Sequence, residues 1–336
     1  MSFDPRRRRL MACAAALPWA LPTHVGAQAP AHRPLIACLG GAQPDATVQR
    51  NMIDPFVAGL RELGHVDGQN ITLVYRWADG QPERLPALLA QLVAMKPDVL
   101  VAAGPRPAQM ARDAARDPAW KIPVVAVAVD DPVLTGLAAS IARPGGHITG
   151  LSGGFDGILE KRLQLLKHIV PKARGFAVLM NPLTAPPGMA DWASKTERQL
   201  GAPLMLASAR EPEEFDAAFE AIVARPADAV AILADATFFR HRARLGELCS
   251  KHRLPAAVGG RGYLDLVGLV SYQGDFAALF RRAGSFVDKI LKGTKPGEIP
   301  FEQSTKLELV VSLKAARALG VHIPATVLVA ADEVIE

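Results

Sequence analysis

The chain has 336 residues, half of which are apolar, and a formal net charge of +5. Without the four arginines and one aspartate of residues 1–27, 34 basic and 32 acidic residues remain, a net charge of +2. This near balance gives no electrostatic reason to expect nucleic acid or an anionic membrane as a partner. The length suits one large or two medium α/β domains.

Residues 1–27 have the pattern of a cleaved signal peptide. The basic run Arg6–Arg9 precedes an apolar run, Leu10–Leu21, and small residues lead up to Ala27. Segments in this order are typical of secretory signals, and the apolar run is too short to span a bilayer, which takes about 20 residues. The pattern predicts a mature protein that starts near Gln28 and works in the periplasm. Twin-arginine and Sec export are both compatible with it.

After the leader, short runs rich in β-branched residues alternate with segments of 3.6-residue periodicity. In the first half, the short runs predict strands at Leu35–Leu39, Ile71–Tyr75, Val99–Ala102, Val124–Val129 and Ile148–Leu151. The periodic segments predict helices at Met52–Leu63, Leu85–Met95 and Met110–Ala115, and a short helix at Val133–Ile141.

The second half repeats the alternation. Strands are predicted at Phe176–Met180, Leu204–Ala207, Val230–Leu233, Ala256–Val258 and Leu269–Tyr272, and helices at Leu159–Ile169, Ala190–Leu200, Glu213–Val223 and Phe239–Lys251. The clearest helix follows: we expect Asp275 to cap it, an apolar face to run from Phe276 to Leu291, and Gly293 to end it.

Strands that alternate with helices predict an α/β protein with parallel sheets of right-handed βαβ units. Two successive sets of units predict two Rossmann-like lobes joined by crossing strands near Thr149 and Tyr272. The predicted first lobe holds residues 33–149 and 273–300, and the second holds 150–272 and 301–336. Ligands of open parallel sheets bind at the carboxyl ends of strands, so two facing lobes predict a ligand cleft with hinged walls.

Several blocks of the mature chain carry a family resemblance: Asp131–Leu137 running into Ser140–Gly150, Gly64–Asn70 with Tyr75–Ala78, Glu160–Leu166 leading to Pro171 and Asn181-Pro182, and the tail Thr305–Val310 through Lys314 to Gly320. Through them the sequence resembles the ABC-transporter substrate-binding proteins of the tryptophan-binding-protein type, which have a type 1 periplasmic-binding fold. The resemblance implies a ligand in the cleft, no cofactor and no catalysis. It implies an amino acid, first of all an aromatic one, as the ligand, and a small carboxylate without an amine is the alternative.

A carboxylate ligand needs donors at the strand ends of the first lobe. The chain departs from the family after the third strand, where a small hydroxyl residue is usual and the run Gly104–Pro107 stands instead. Within that run, Arg106 can form a bidentate pair with a carboxylate, or it can be a solvated surface arginine. Gly41 and Gly104 permit close approach of the backbone to a ligand, and Gln43 belongs to the same first loop as Gly41.

An ammonium group on the ligand would need an acidic acceptor. Asp130 and Asp131 follow the fourth strand, and Asp235 follows the strand at Val230–Leu233. Asp131 has the alternative of capping a helix that has Pro132 at its first position, and Asp235 can equally be a helix cap. Asp235 is the better candidate, because the resemblance places its loop at the cleft.

Other candidates are expected on the rim of the cleft: Ser152, Asn181 and Gly260. Aromatic side chains near strand ends can sandwich an aromatic or apolar ligand, and these are Phe155, Phe238, Tyr263 and Tyr272. Phe238 and Tyr263 can equally be core contacts. Only Tyr272, beside a predicted hinge strand, is favoured for a functional place.

The alternative function is a secreted serine hydrolase. Gly150–Gly154 fits the nucleophile-elbow pattern G-x-S-x-G after a strand, with Ser152 as the nucleophile. Asp235 or Asp265, with His322, would complete the triad. The pattern is short, however, and no His-Gly-Gly-Gly run precedes it.

Nucleotide and metal sites are not supported. The run that begins Gly260-Arg261-Gly262 has Asp265 where a dinucleotide motif needs its last glycine, and Gly293–Lys295 lacks the P-loop spacing. The histidines are scattered without closely spaced ligand pairs. Cys38 and Cys249 are predicted to be free, buried thiols.

The predicted function is therefore that of a periplasmic receptor that holds one small-molecule ligand between two lobes. Its predicted partners are an ABC permease and the ATPase of that permease. It is expected to be a monomer without a membrane span of its own and without nucleic acid as a partner.

Overall fold

The computed structural model describes residues 33–129, 131–153, 157–264, 268–304 and 307–336. The first of two sheets holds β1 (Leu35–Gly40), β2 (Thr72–Trp77), β3 (Val99–Ala103), β4 (Val124–Val129), β5 (Ile148–Ser152) and β11 (Glu302–Gln303). Its strand order is β11-β5-β4-β3-β1-β2, and every neighbouring pair is parallel. The predicted signal peptide, residues 1–27, lies outside the described residues.

The second sheet holds β6 (Phe176–Met180), β7 (Leu204–Ser208), β8 (Ala229–Ile232), β9 (Ala256–Val258), β10 (Val270–Gly274), β12 (Leu307–Ser312) and β13 (Glu333–Ile335). Its strand order is β13-β12-β10-β9-β8-β6-β7, and only the pair of β10 with β12 is antiparallel. The predicted α/β fold with two Rossmann-like halves is confirmed.

Helices cover both faces of each sheet. They are α1 (Ala46–Val48), α2 (Asp54–Glu62), α3 (Leu85–Ala94), α4 (Pro105–Ala114), α5 (Ile158–Ile169), α6 (Met189–Leu200), α7 (Phe215–Ala224), α8 (Ala236–Arg240), α9 (Arg242–Lys251), α10 (Arg261–Leu264), α11 (Phe276–Leu291), α12 (Leu313–Leu319) and α13 (Ala325–Val329). A π-helical turn, Gln49–Ile53, joins α1 to α2, and 3-10 turns lie at Pro82–Arg84, Pro212–Glu214 and Pro296–Glu298. Within the described ranges, no helix is both long enough and apolar enough to cross a bilayer.

The longest helix, α11, follows the sequence prediction. The Asp275 side chain accepts a hydrogen bond from the Ala278 amide at 2.9 Å, so it caps the helix. The apolar face of α11 is buried in the core of the first sheet. The helix also packs against α2 backbone to backbone, because a Cβ atom at Gly284 would lie 2.7 Å from the carbonyl carbon of Gly59.

The predicted helix at Val133–Ile141 is wrong. The structure has a series of turns there, in which the amides of Leu137 and Ala138 both donate to the Pro132 carbonyl. Gly136 has φ +67°, and this left-handed conformation ends the first turn before a helix can propagate. The apolar residues that suggested a helical face are therefore held by a compact loop.

The chain passes from one sheet to the other after β5, β10 and β11. These passages converge, because a Cβ atom at Gly274 would lie 2.9 Å from both the Gly153 carbonyl oxygen and the Ser304 hydroxyl. All of β5 and all of β11 belong to the first sheet. The chain therefore leaves that sheet a few residues after the predicted lobe boundaries at residues 149 and 300. The lobe boundaries themselves stay a prediction.

Both cysteines of the described chain are free thiols in cores. Cys38 on β1 is buried in the first sheet's core, and Cys249 on α9 is buried in the second's. Burial raises the pKa of both thiols, that of Cys249 to about 12, so neither is a reactive thiolate near neutral pH.

Candidate functional site

A cavity of about 450 Å³ lies where the carboxyl ends of the two sheets face each other. The first sheet contributes the segments that follow β1 and β3, and the second contributes those that follow β8 and β9. The volume lies within the range of small-molecule sites, and the position is the one at which open parallel sheets bind ligands.

Apolar side chains form much of the cavity wall: Val48, Met52 and Leu85 from the first half, and Phe239, Tyr263 and Phe276 from the second half and α11. The rings of Phe239 and Tyr263 pack edge to face, with centroids 5.2 Å apart. The Arg242 guanidinium lies 4.3 Å from the centroid of the Phe239 ring. Such walls suit a ligand with an apolar or aromatic body.

The π-helical turn forms one wall of the cavity. Asp45 caps α1 by accepting hydrogen bonds from the amides of Thr47 and Val48, both at 2.9 Å. The π turn follows directly, and its residues Asn51 and Met52 line the cavity. Turns of this kind are frequent at functional sites.

A strained residue on β4 also faces the cavity. Ala128 has φ +57°, a left-handed conformation that is unfavourable for a residue with a side chain. The register between β4 and β5 shifts at the same point, between Val127 and Val129. The resulting bulge places Ala128 in the cavity wall, and such strain is concentrated at functional sites.

Arg106 lies in the cavity wall at the second position of α4. It is half-buried, and no acidic side chain within the described part of the chain pairs with it. Pro105 and Pro107 have no amide hydrogen, so the first turn of α4 offers only the Arg106 amide to a ligand. Gly104 precedes them with φ +96°. Any anion at this helix end would therefore depend on Arg106 itself, through its amide and its side chain.

Asp235 lines the opposite wall and caps α8. Its Oδ1 accepts hydrogen bonds from the amides of Thr237 at 2.8 Å and Phe238 at 3.2 Å. Its Oδ2 accepts from the Thr184 hydroxyl at 2.8 Å and from Asn181 Nδ2 at 3.3 Å. A carboxylate has about four lone-pair positions, so the protein itself fills the acceptor capacity of Asp235.

Glycines bring the backbone close to the cavity on both sides. A Cβ atom at Gly41 would lie 3.2 Å from the Ala236 methyl of the other half. Gly260 has φ +142°, its amide donates to the Ser271 hydroxyl at 3.2 Å, and a Cβ atom there would lie 3.3 Å from the Gln273 side chain. Both glycines line the cavity, as Gly104 does.

Other predicted site residues lie away from the cavity wall. Gln43 is exposed, and Asp131 accepts hydrogen bonds from the amides of Val133 and Leu134, which makes it the cap of a turn. Asn181 is buried and acts on the cavity only through its hydrogen bond to Asp235. Among the predicted aromatics, Tyr263 lines the cavity and Phe238 does not. Asp130, Phe155 and Asp265 lie outside the described residues.

Tyr272 is half-buried beside the passage to α11, and its side chain does not line the cavity. Its carbonyl oxygen accepts a hydrogen bond from Arg162 Nε at 2.8 Å. Arg162 is 1% exposed, and burial lowers its pKa to about 10, so it stays positively charged at neutral pH. A Cβ atom at Gly259, in the cavity wall, would lie 3.0 Å from the Arg162 guanidinium. A buried positive charge therefore lies directly behind that wall.

Hydrogen bonds join the two halves beside the cavity. The Arg242 guanidinium pairs with the Asp45 carboxylate at 2.8 Å, and both side chains are mostly buried. The Arg240 guanidinium donates to the Asp79 carbonyl oxygen. These bonds connect α8 and α9 of the second half with the loops after β1 and β2.

The arrangement of the serine-hydrolase alternative is not supported. Ser152 is 1% exposed within β5 and does not line the cavity, whereas His322 is exposed after α12. Asp235 is a helix cap. Among the described residues, no group of three or more metal-ligating side chains could hold a metal ion either.

Several residues that line the cavity were not predicted from the sequence to do so: Asn51, Met52, Gln273, Asp275 and Glu308. Asp275 carried a signal, since it was expected at the start of α11, the helix that follows a passage between the sheets. The strand that carries Glu308 was not predicted from the pattern, and a π turn has no sequence signature that separates it from an α-helix.

The sequence matches the family described as ABC transporter substrate binding protein over residues 47–335. A relative named tyrosine-binding protein, from Clostridioides difficile (strain R20291), is 24% identical over 272 residues, which cover 80% of this chain and 76% of that protein.

Solved structures share the fold over most of the chain. A conserved domain protein from Vibrio cholerae O1 is 25% identical with a TM-score of 0.81, and the match covers 90% of this chain and 99% of that one. An ABC domain from Streptococcus pneumoniae in complex with L-Trp is 21% identical with a TM-score of 0.79, covering 90% of this chain and all of the other.

Proposed function

Because the chain belongs to the family of ABC transporter substrate-binding proteins, we propose that it carries an amino acid, first of all an aromatic one, to an ABC permease in the periplasm. The observation that carries the proposal is the cavity between the two halves. It combines Arg106, which has no acidic partner among the described residues, with apolar and aromatic walls. The named ligands of the relatives, tyrosine and L-Trp, agree with this chemistry. The ligand would leave the protein chemically unchanged.

The charges around the cavity support a defined orientation of the ligand. Arg106, with the buried charge of Arg162 behind the opposite wall, favours an anionic group. The ligand carboxylate would pair with Arg106, and the ligand side chain would lie against the wall formed by Phe239 and Phe276. Ligand contacts to both halves would favour the closed arrangement.

A specific observation supports the alternative ligand class, a small carboxylate without an amine. The two oxygens of Asp235 already accept four hydrogen bonds from the protein. Its charge can attract an ammonium group at a distance, but a direct hydrogen bond would have to displace one of those donors. The ligand screen must therefore include both classes.

The test is a thermal-unfolding screen of residues 28–336 against amino acids, small carboxylates and simple esters. A ligand at a hundred times its dissociation constant adds about 2.7 kcal/mol of stability, which raises the unfolding midpoint of a protein of this size by several degrees. We expect a shift for an aromatic amino acid that is recovered unchanged. Turnover of an ester, or no shift with either class of ligand, would contradict the proposal.

The role of Arg106 is tested by calorimetry with the ligand that the screen finds. Arg106→Ala removes the only side-chain cation of α4 that faces the cavity, and we expect at least tenfold weaker binding, because hydrogen bonds to charged groups contribute about 1.5–3 kcal/mol. Arg116→Ala, at an exposed arginine just beyond α4, is the matched control. Equal affinity of wild type and Arg106→Ala would remove Arg106 from the site.

A further inference from the structure

Gln273 brings a side-chain amide to the cavity wall from β10. Side chains of a strand point alternately to its two faces, so Tyr272 packs against the core of the second sheet while Gln273 lines the cavity. The amide lies beside Gly260, because a Cβ atom there would be 3.3 Å from Gln273 Oε1 and 3.5 Å from Nε2. The absence of a side chain at Gly260 therefore leaves room for the amide in the wall.

The Gln273 amide has no protein partner. It is half-buried and makes no hydrogen bond within the part of the chain that the structure describes. An amide carries an acceptor oxygen and two donor hydrogens, and in Gln273 all of them are available to a ligand. Asp235 differs in this respect, because its two oxygens already accept four hydrogen bonds from the protein.

The charges of the described wall residues divide between the two sides of the cavity. Arg106 is the charged residue of the first sheet's side. The other side, counted with the groups directly behind it, holds four carboxylates and two guanidiniums: Asp235, Asp275, Glu308 and Glu333, and Arg162 and Arg261. These groups leave a net charge of −2 on that side, which favours a cationic group of the ligand there.

One of those carboxylates adjoins Gln273. Glu308 stands directly opposite Gln273 in the register of β12 and β10. Side chains at opposite positions of an antiparallel pair share one face of the sheet, and both of these line the cavity. The amide oxygen of Gln273 is thus an acceptor beside a negative charge.

Resting on the proposed function, we propose that Gln273 binds the ammonium group of an amino acid and thereby selects amino acids over carboxylates without an amine. Gln273 Oε1 would accept a hydrogen bond from the ammonium, while the ligand carboxylate pairs with Arg106. Both ligand groups are attached to one carbon atom, so an amino acid would contact both sides of the cavity there. A carboxylate without an amine would leave the Gln273 oxygen unpaired.

The test compares two amino acids with analogues that lack the amine, by calorimetry: L-phenylalanine with 3-phenylpropionate, and L-tryptophan with indole-3-propionate. In the wild-type protein we expect the amino acid of a pair to bind about tenfold more tightly or better, because hydrogen bonds to charged groups are strong. In Gln273→Met, which keeps the side-chain length and loses the amide, the preference should fall below about threefold. In Gln273→Glu, which keeps an acceptor and adds a negative charge, the preference should be retained or increased.

Gln164→Met is the matched control, because Gln164 is exposed on α5 and does not line the cavity. A purely structural Gln273 would weaken both members of a pair by the same factor, in Gln273→Glu as in Gln273→Met. The half-buried Asn51 amide also lines the cavity without a hydrogen bond among the described residues. A preference lost in Asn51→Leu or Glu308→Gln, but kept in Gln273→Met, would place the ammonium at that other group and overturn the role of Gln273.

The ligand pairs separate this proposal from the proposed function. A preference for the amine that persists in Gln273→Met would overturn the role of Gln273 and leave the amino-acid function standing. Equal binding of amino acids and propionates to the wild type would overturn the amino-acid class together with the role of Gln273, in favour of a carboxylate receptor. Absence of binding by all four compounds would overturn both proposals and the carboxylate alternative for these ring systems.

Discussion

Asp235 lies in the cavity wall, as the sequence predicted, but its contacts are those of a structural residue. An ammonium acceptor was expected there. Its oxygens are nevertheless occupied by the Thr237 and Phe238 amides and by the side chains of Thr184 and Asn181. The carboxylate therefore holds α8 and the loop after β6 together, and so positions the cavity wall.

Asp235→Ala should destabilise the ligand-free protein by about 1–2 kcal/mol, because it removes a helix cap and two further hydrogen bonds. Asp235→Asn, which keeps an oxygen for the two amides, should lose less. Urea denaturation without ligand measures both. An Asp235→Ala protein of wild-type stability that has lost its ligand affinity would instead assign Asp235 to ligand contact.

At the scale of single elements, the pattern of the chain predicted most strands and helices to within a few residues. Buried strands such as β4 are continuous apolar runs, and α11 has a clear 3.6-residue apolar period. Both signals follow directly from burial in a core. The cavity could be predicted only in part. Strand ends located Gly41, Gly104, Arg106, Asp235 and Gly260, whereas side-chain hydrogen bonds such as those of Asn181 depend on packing that no local pattern contains.

The elements that the pattern missed have physical explanations. The segment around Thr135 is apolar enough for a helix, but a left-handed glycine closes it after one turn. The tail strands β11, β12 and β13 are short or have mixed burial, so alternation along them is weak. The π turn differs from an α-helix only in the hydrogen-bond register, which tertiary packing decides.

The contact between α2 and α11 gives a prediction about packing. Gly284→Ala places a Cβ atom 2.7 Å from the backbone of Gly59, and we expect a loss of about 1–3 kcal/mol in the free energy of unfolding. Ser285→Ala, one residue further along α11, is the control, because it adds no atom and removes only a hydroxyl that donates to the Arg282 carbonyl of the same helix. Chemical denaturation compares the two. A Gly284→Ala protein with the stability of the control would mean that α2 and α11 can move apart at little cost in free energy.

At the scale of the whole molecule, the two halves are joined beside the cavity by groups that do not line it. Asp45 and Arg242 form an ion pair between the loop after β1 and α9, and neither residue belongs to the cavity wall. The pair exists only when the halves are close together. It should therefore contribute to ligand affinity by favouring the closed arrangement.

Asp45→Asn tests this contribution, because the amide oxygen can still cap α1 while the negative charge is lost. We expect about fivefold weaker ligand binding, equivalent to about 1 kcal/mol for a partly buried pair, and a larger radius of gyration in X-ray scattering of the ligand-free protein. Asp216→Asn is the control, since Asp216 pairs with Arg244 inside the second half. Equal affinities for the two variants would mean that the ion pair does not influence closure.

The passages after β5, β10 and β11 have a consequence for how the protein is made. The first sheet receives its covering helix α11 and its edge strand β11 only when the chain has reached Gln303. A nascent chain that ends earlier exposes the apolar face that Phe280 and Phe286 later cover. We therefore expect neither half to fold during synthesis before the chain has passed Gln303, so that the unfinished chain exposes apolar surface that chaperones can bind until then.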